Sequence, residues 1–286
     1  MIHLHDLGGL WRRTLIAWPD GRSDSATAVF WLQGPSLYAD LRLPAGRPAC
    51  PDAVCLRDLD WTMLHFMAGQ EGFFGRFDVV DSVGKWQSTF DYQPDTGMAD
   101  RGALEFEDGV LVERGIDAPY VEHWSRTASG EAMALALALA TEMGTSGCLV
   151  VAGDAFIYAR GRATALPRGA TLSERIDGAA SLQAAQDIFD CEISFGRRHA
   201  SDWRTERSSH CFREGAALAP AFDSVAGSLV IDDVAPDGTP IKRTWRVIAH
   251  EGTSPLSCWF GSDGANVMPL PSQRTQNRTI KTFGPA

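Results

Sequence analysis

Large side chains fall on every second position of Met133-Ala-Leu-Ala-Leu-Ala-Leu-Ala140, and this regularity constrains the fold more than any other feature of the chain. Alanine and leucine favour a helix by propensity. A helix, however, would spread these leucines around its circumference, whereas a strand gathers them on one face. The alternation therefore predicts a strand, paired with residues 148–152 across a Gly-containing connection and followed by a third over 156–162. Similar period-two runs, bounded by Gly, Pro, Asp and Ser, predict strands over 26–33, 37–43, 72–80, 85–92, 101–107, 110–114 and 120–126. Strands resume over 188–195, 202–207, 228–234 and 242–249. Asp108-Gly109 readily supplies the positive φ angles of a tight hairpin turn. Long amphipathic helical patterns are scarce, and a short helix is expected only around 181–186.

Many short strands at this spacing indicate an antiparallel barrel or sandwich. Closing a barrel removes exposed sheet edges, and about eight strands can enclose one small-ligand cavity. The expected fold is all-β, with two antiparallel lipocalin-like β-barrel units and few short helices; a single sandwich is the alternative. The first unit would span 1–165 and the second 181–265, with a connector over 166–180 and a polar tail over 266–286.

With 26 basic against 36 acidic residues the net charge is −10, which disfavours nucleic acid and anionic membranes as partners. The start of the chain does not read as a secretory signal, and no apolar run approaches a membrane span of about 20 residues. Cys50 and Cys55 form the closest cysteine pair but lack a second Cys or His pair, so all six cysteines read as reduced thiols in a cytoplasmic protein. No metal signature joins the histidines, and there is neither a P-loop nor a dinucleotide fingerprint; no cofactor is expected. The sequence does not fix an oligomeric state.

Candidate site residues come from strand faces. Tyr38, Asp40 and Arg42 share one face of their strand, opposite Ala39, Leu41 and Leu43. Turned inward, Arg42 could hold a carboxylate or phosphate, with Asp40 orienting it and Tyr38 adding a hydroxyl. Turned outward, the three are an ordinary solvated ion pair and ring. Tyr120, Glu122 and Trp124 likewise share a face, with His123 on the other. Glu122 or His123 would serve as acid or base; His65, in an apolar neighbourhood, reads first as a core histidine bonded to backbone and is the preferred base if the chain is an enzyme. Trp31, Trp86 and Trp124 would form apolar walls. Glu105, Glu107 and Glu113 flank the Asp-Gly turn and read as solvated hairpin carboxylates.

Several of these residues fall in recognisable short motifs. They are Trp31-Leu-Gln33, Tyr38-x-Asp40-x-Arg42-x-Pro44, Asp100-Arg-Gly-Ala-Leu-Glu105, Glu113-x-Gly115 and Tyr120-Val-Glu122-His-Trp124. Val150-Val-Ala-Gly-Asp154-x-Phe-Ile-Tyr-Ala-Arg160, Trp203 and Arg213-Glu-Gly215 extend the pattern. Over roughly 29–215 the chain thereby resembles the Hri1-like family, fungal and bacterial proteins of poorly defined function. The resemblance implies a two-lobed lipocalin-like fold and no particular reaction.

The leading expectation is a small-molecule-binding protein whose ligand is partly apolar and carries an acidic or carbonyl group anchored by Arg42. A cofactor-independent isomerase, lyase or hydrolase using the same cavity is the enzymatic alternative. A protein-interaction or structural factor is the second alternative.

Overall fold

The computed structural model describes residues 1–129, 134–256 and 259–260. The first sheet contains β1 (Gly9–Ala17), β2 (Ser23–Asp24), β3 (Ala28–Gln33), β4 (Leu37–Leu43) and β5 (Glu71–Val80). It continues through β6 (Val83–Asp91), β7 (Asp100–Glu107), β8 (Val110–Gly115) and β9 (Val121–Ser129). Its pairing is antiparallel throughout, and β1 pairs with β3 on one side and β9 on the other. Apart from the two-residue β2, the sheet is therefore a closed barrel of eight strands.

A second sheet of eight strands comprises β10 (Ala134–Ala140), β11 (Ser146–Ala152), β12 (Ala155–Arg160), β13 (Glu192–His199) and β14 (Asp202–Ser208), with β15 (Ala221–Asp223), β16 (Ser228–Val234) and β17 (Pro240–Glu251). Its order is β14-β13-β12-β11-β10-β17-β16-β15, a curled sheet rather than a closed barrel among the described residues. Short helices α1 (Trp61–Ala68), α2 (Leu172–Asp177) and α3 (Leu182–Asp187) complete the fold. An all-β chain with two barrel-like units and few short helices is thus what the sequence predicts. Among the described residues, no helix is long and apolar enough to cross a membrane.

The alternating strand over 133–140 shows how the two sheets meet. Leu135, Leu137 and Leu139 enter a core with Phe156, Tyr158 and Trp245 on one face of the second sheet. Ala136 on the other face joins Leu32, Leu37, Ala39 and Leu41 from the outside of the barrel. Contact there is close: a Cβ added at Gly34 would lie 2.8 Å from that of Ala136. Small side chains on one face and leucines on the other let a barrel wall lie against the sheet while both faces stay buried. Each fully buried leucine contributes roughly 1.5–3 kcal/mol of transfer free energy.

Several expectations require correction. Strands β10–β12, expected within a first unit ending at 165, pair in the second sheet, so the sheets part between β9 and β10. Alternation identifies strands but not their partners. Strand β1, which closes the barrel, has no clean alternation because its pairing with β9 shifts register between Leu10 and Trp11 and again between Arg13 and Leu15. Helix α1 is capped by Asp60, whose side chain accepts the Met63 amide at 2.9 Å, and is absent from the predicted elements. Helix α2 lies in the stretch expected to be a plain connector. The tail over 266–286 lies outside the described residues.

Cys50 and Cys211 form a disulfide across 161 residues, joining the segment after β4 to a turn beyond β14. Reduced thiols are therefore the wrong state for these two, since neighbouring positions in sequence did not reveal a partner so distant. Cys55, Cys148 and Cys191 are free and buried. The cytoplasmic expectation loses the support it took from six reduced thiols.

Candidate functional site

Packing of the second sheet against the outside of the barrel decides the orientation of the period-two trio on β4. Ala39, Leu41 and Leu43 form the outer face, buried against the second sheet, and Tyr38, Asp40 and Arg42 face inward. The same parity turns Trp31 of β3, Trp86 of β6, Glu113 of β8 and Glu122 and Trp124 of β9 toward the interior. Together with Ile16, Phe73, Asp100 and Tyr120, they surround a cavity of about 140 Å³. Phe73, Trp86 and Asp100 also line an adjoining groove of about 840 Å³, to which Tyr38 contributes.

The aromatic wall is built around Trp31. Its ring meets Trp124 at 5.4 Å and Trp86 at 5.9 Å between centroids, with interplanar angles of 71° and 64°. Such edge-to-face contacts fix large rings with little loss of rotamer freedom and expose π surfaces in different directions.

Charges occupy the other side. The Arg13 Nη1 donates to Glu122 Oε1 at 2.6 Å, and its Nη2 lies 3.6 Å from Asp24. The Arg42 Nε donates to Asp40 Oδ1 at 2.9 Å, and its Nη1 lies 3.7 Å from both Glu122 and Glu71. Its guanidinium also lies over the Phe73 ring at 4.9 Å. Glu113 and Glu122 are direct cross-strand partners on β8 and β9. Like charges so placed repel. Glu122 has arginines, whereas Glu113 accepts from the Tyr120 hydroxyl at 2.7 Å and the Trp124 indole N–H at 3.2 Å. Burial first, and then Glu122, pushes the Glu113 carboxyl well above the ordinary carboxylate range. Gly102 on β7 makes room for it: a Cβ there would lie 2.6 Å from Glu113 Cγ.

Asp40 has a pKa raised to about 6, because burial outweighs the attraction of Arg42. A carboxyl whose folded-state pKa is raised contributes stability below its unfolded value, and that contribution is lost as pH rises through the folded value. From 3.8 to about 6 the change is worth about 3 kcal/mol. Asparagine cannot ionise, so the stability difference between wild type and Asp40→Asn should move by about 2 kcal/mol against the wild type between pH 4 and pH 7.5, the remainder lying below pH 4. Urea unfolding at both pH values measures the shift; a difference that stays constant with pH contradicts the assigned state of Asp40.

Of the residues singled out by sequence, Trp31, Asp40, Arg42, Trp86, Tyr120, Glu122 and Trp124 line this one cavity. Tyr38 sits beside it, fully buried, with a hydroxyl that has no hydrogen-bond partner among the described residues. Two others do not join it. His65 is exposed on α1, 3.6 Å from Asp177, and so is neither a cavity base nor a core histidine. His123 lies between Glu122 and Trp124 on β9 and therefore faces out of the barrel. Glu105 and Glu107 are exposed as expected, but Glu113 is buried in the cavity, contrary to its reading as a solvated hairpin carboxylate. Arg13, Phe73 and Asp100 are contributions that strand reading did not select.

No family model matches the chain, and no curated protein matches it. Among solved structures it is similar to an uncharacterized protein of Saccharomyces cerevisiae, YLR301w. The match has 11% identity and a TM-score of 0.50 over 85% of this chain and 98% of that one. At this identity the likeness concerns the fold.

Proposed function

We propose that the chain is a small-molecule-binding, lipocalin-like protein whose ligand occupies the closed barrel. The observation that carries this reading is the convergence of three tryptophans and a set of buried carboxyl and guanidinium groups on one cavity of about 140 Å³. A dry cavity of about 150 Å³ in another protein takes up benzene, so this volume suits a ring-sized group. The adjoining groove would receive the remainder of a longer ligand. A net charge of −10 supports a small organic partner over nucleic acid or an anionic membrane. We also read the chain as a remote member of the Hri1-like family, supported by its short motifs and two-unit β architecture.

Arg42 lines the cavity, but the expected capture of an acidic group is less favoured because Asp40, Glu71 and Glu122 already surround its guanidinium. Benzyl alcohol is a suitable neutral probe. It should quench tryptophan emission saturably and raise the thermal midpoint with concentration, as binding to the native state requires. Strictly linear quenching with no stabilisation would contradict this reading.

One observation favours the enzymatic alternative as a second reading. Glu113 and Glu122 stand opposite each other in different surroundings, one favouring the protonated acid and the other paired with arginine. Such a pair can divide acid and base roles. This reading requires a turnover that Glu122→Gln abolishes, and it drops the histidines from the roles expected of them.

A further inference from the structure

We infer that the ligand of the barrel cavity is a small organic cation, an ammonium group borne on a ring-sized apolar body. The inference rests on the binding function proposed above and specifies its chemistry. Both interior cations are already occupied. Arg13 is held by Glu122 and Asp24, and Arg42 by Asp40, Glu71 and Glu122. An incoming anion would have to displace one of these carboxylates and would meet the others unscreened. Carboxyl groups still outnumber the cations: among the described residues Asp40, Asp100, Glu113 and Glu122 line the cavity, against Arg42 in the lining and Arg13 bound to Glu122.

The walls have the complementary chemistry. A cation within about 6 Å of an aromatic centroid is attracted by the ring's negative face, most strongly by tryptophan. Trp86 and Trp124 each stand at a steep angle to Trp31, and all three line the cavity, so a compact cation there has more than one ring within reach. Tyr38 supplies an independent sign of a missing partner. It is fully buried, its hydroxyl is unpaired among the described residues, and burial together with Asp100, Asp40 and Asp91 holds its phenol well above the usual range. Tyr38 belongs to the adjoining groove rather than to the cavity lining, so a donor reaching from the cavity toward that groove would be needed to satisfy the oxygen. A bare metal ion fits less well: among the described residues no three or more His, Cys, Asp or Glu side chains are gathered as a metal-binding group.

A positive ligand must also act on Glu113. The groups facing that carboxyl are Glu122, Asp100, Tyr120 and Arg42, and among the described residues none forms an ion pair with it. A cation entering the cavity therefore favours loss of the Glu113 proton. Uptake of the ligand should release protons to solvent.

Calorimetric titration of the full chain at pH 7 with benzylamine, benzyl alcohol and benzoate tests the inference, because the three probes share a ring and differ in charge. Repeating it in two buffers of different ionisation heat reads the protons released. Benzylamine should bind about tenfold more tightly than benzyl alcohol, with benzoate weakest. Proton release should accompany benzylamine alone and decrease in Glu113→Gln. Benzoate binding at least as tightly as benzylamine, or equal affinities for benzylamine and benzyl alcohol, would overturn the cation while leaving the binding function standing. Failure of all three probes to bind would overturn both. Should Glu113→Gln not fold, the ranking of the three probes on the wild-type protein decides.

Discussion

Replacing Arg13 with methionine should destabilise the protein by about 3 kcal/mol at pH 7, measured by urea unfolding. The substitution keeps an unbranched side chain in the barrel while removing its charge. Glu122, almost completely buried, then loses its closest partner at 2.6 Å and retains only Arg42 at 3.7 Å. The cost comes from leaving a buried carboxylate under-compensated, rather than from the worth of an isolated salt bridge. Adding Glu122→Gln to Arg13→Met should therefore restore much of the loss, since the double variant buries no unmatched charge at that position. A loss below about 0.5 kcal/mol, within the range of ordinary surface changes, would contradict the account of a buried charged layer.

How much of this layer is legible in the sequence depends on the strand. On β4, the alternation of Tyr38, Asp40 and Arg42 with Ala39, Leu41 and Leu43 identifies two faces but not which one points inward. The apolar face does not line the barrel; it lies against the second sheet, and the polar face turns inward. Only the presence of a second packed layer settles that choice. Trp31, Trp86 and Trp124 are legible in the sequence, because a large ring on a strand has few alternatives to burial.

Glu113 and Arg13 were harder for different reasons. Glu113 shares its hairpin with Glu105 and Glu107, and composition alone does not distinguish the buried carboxyl from the two exposed ones. Its register opposite Glu122, with Gly102 leaving space beside it, carries the distinction. Arg13 lies on a strand whose register shifts interrupt the period of two, so its inward direction has no local signature. His65 misled in the opposite way: its apolar neighbours belong to α1, where Met63, Leu64 and Met67 are buried while His65 faces solvent. The disulfide was equally hidden, since only the fold brings Cys50 to Cys211.

The largest effect on function should come from filling the cavity. Ile16 lies on β1 and contributes to the lining without supplying a charge or a hydrogen bond from its side chain. In Ile16→Trp an indole would occupy the space assigned to the ligand's ring, leaving Asp40, Arg42, Glu113 and Glu122 in place. The added bulk enters existing space, so a folded barrel is expected, and circular dichroism together with the thermal midpoint checks it. Calorimetric titration with benzylamine, on wild type and Ile16→Trp in parallel, is the most direct test of the barrel cavity as the binding site. The expected result is a saturable one-to-one isotherm for the wild type and no measurable binding to the folded variant. Equal affinity in the two proteins would place binding elsewhere and contradict the assignment.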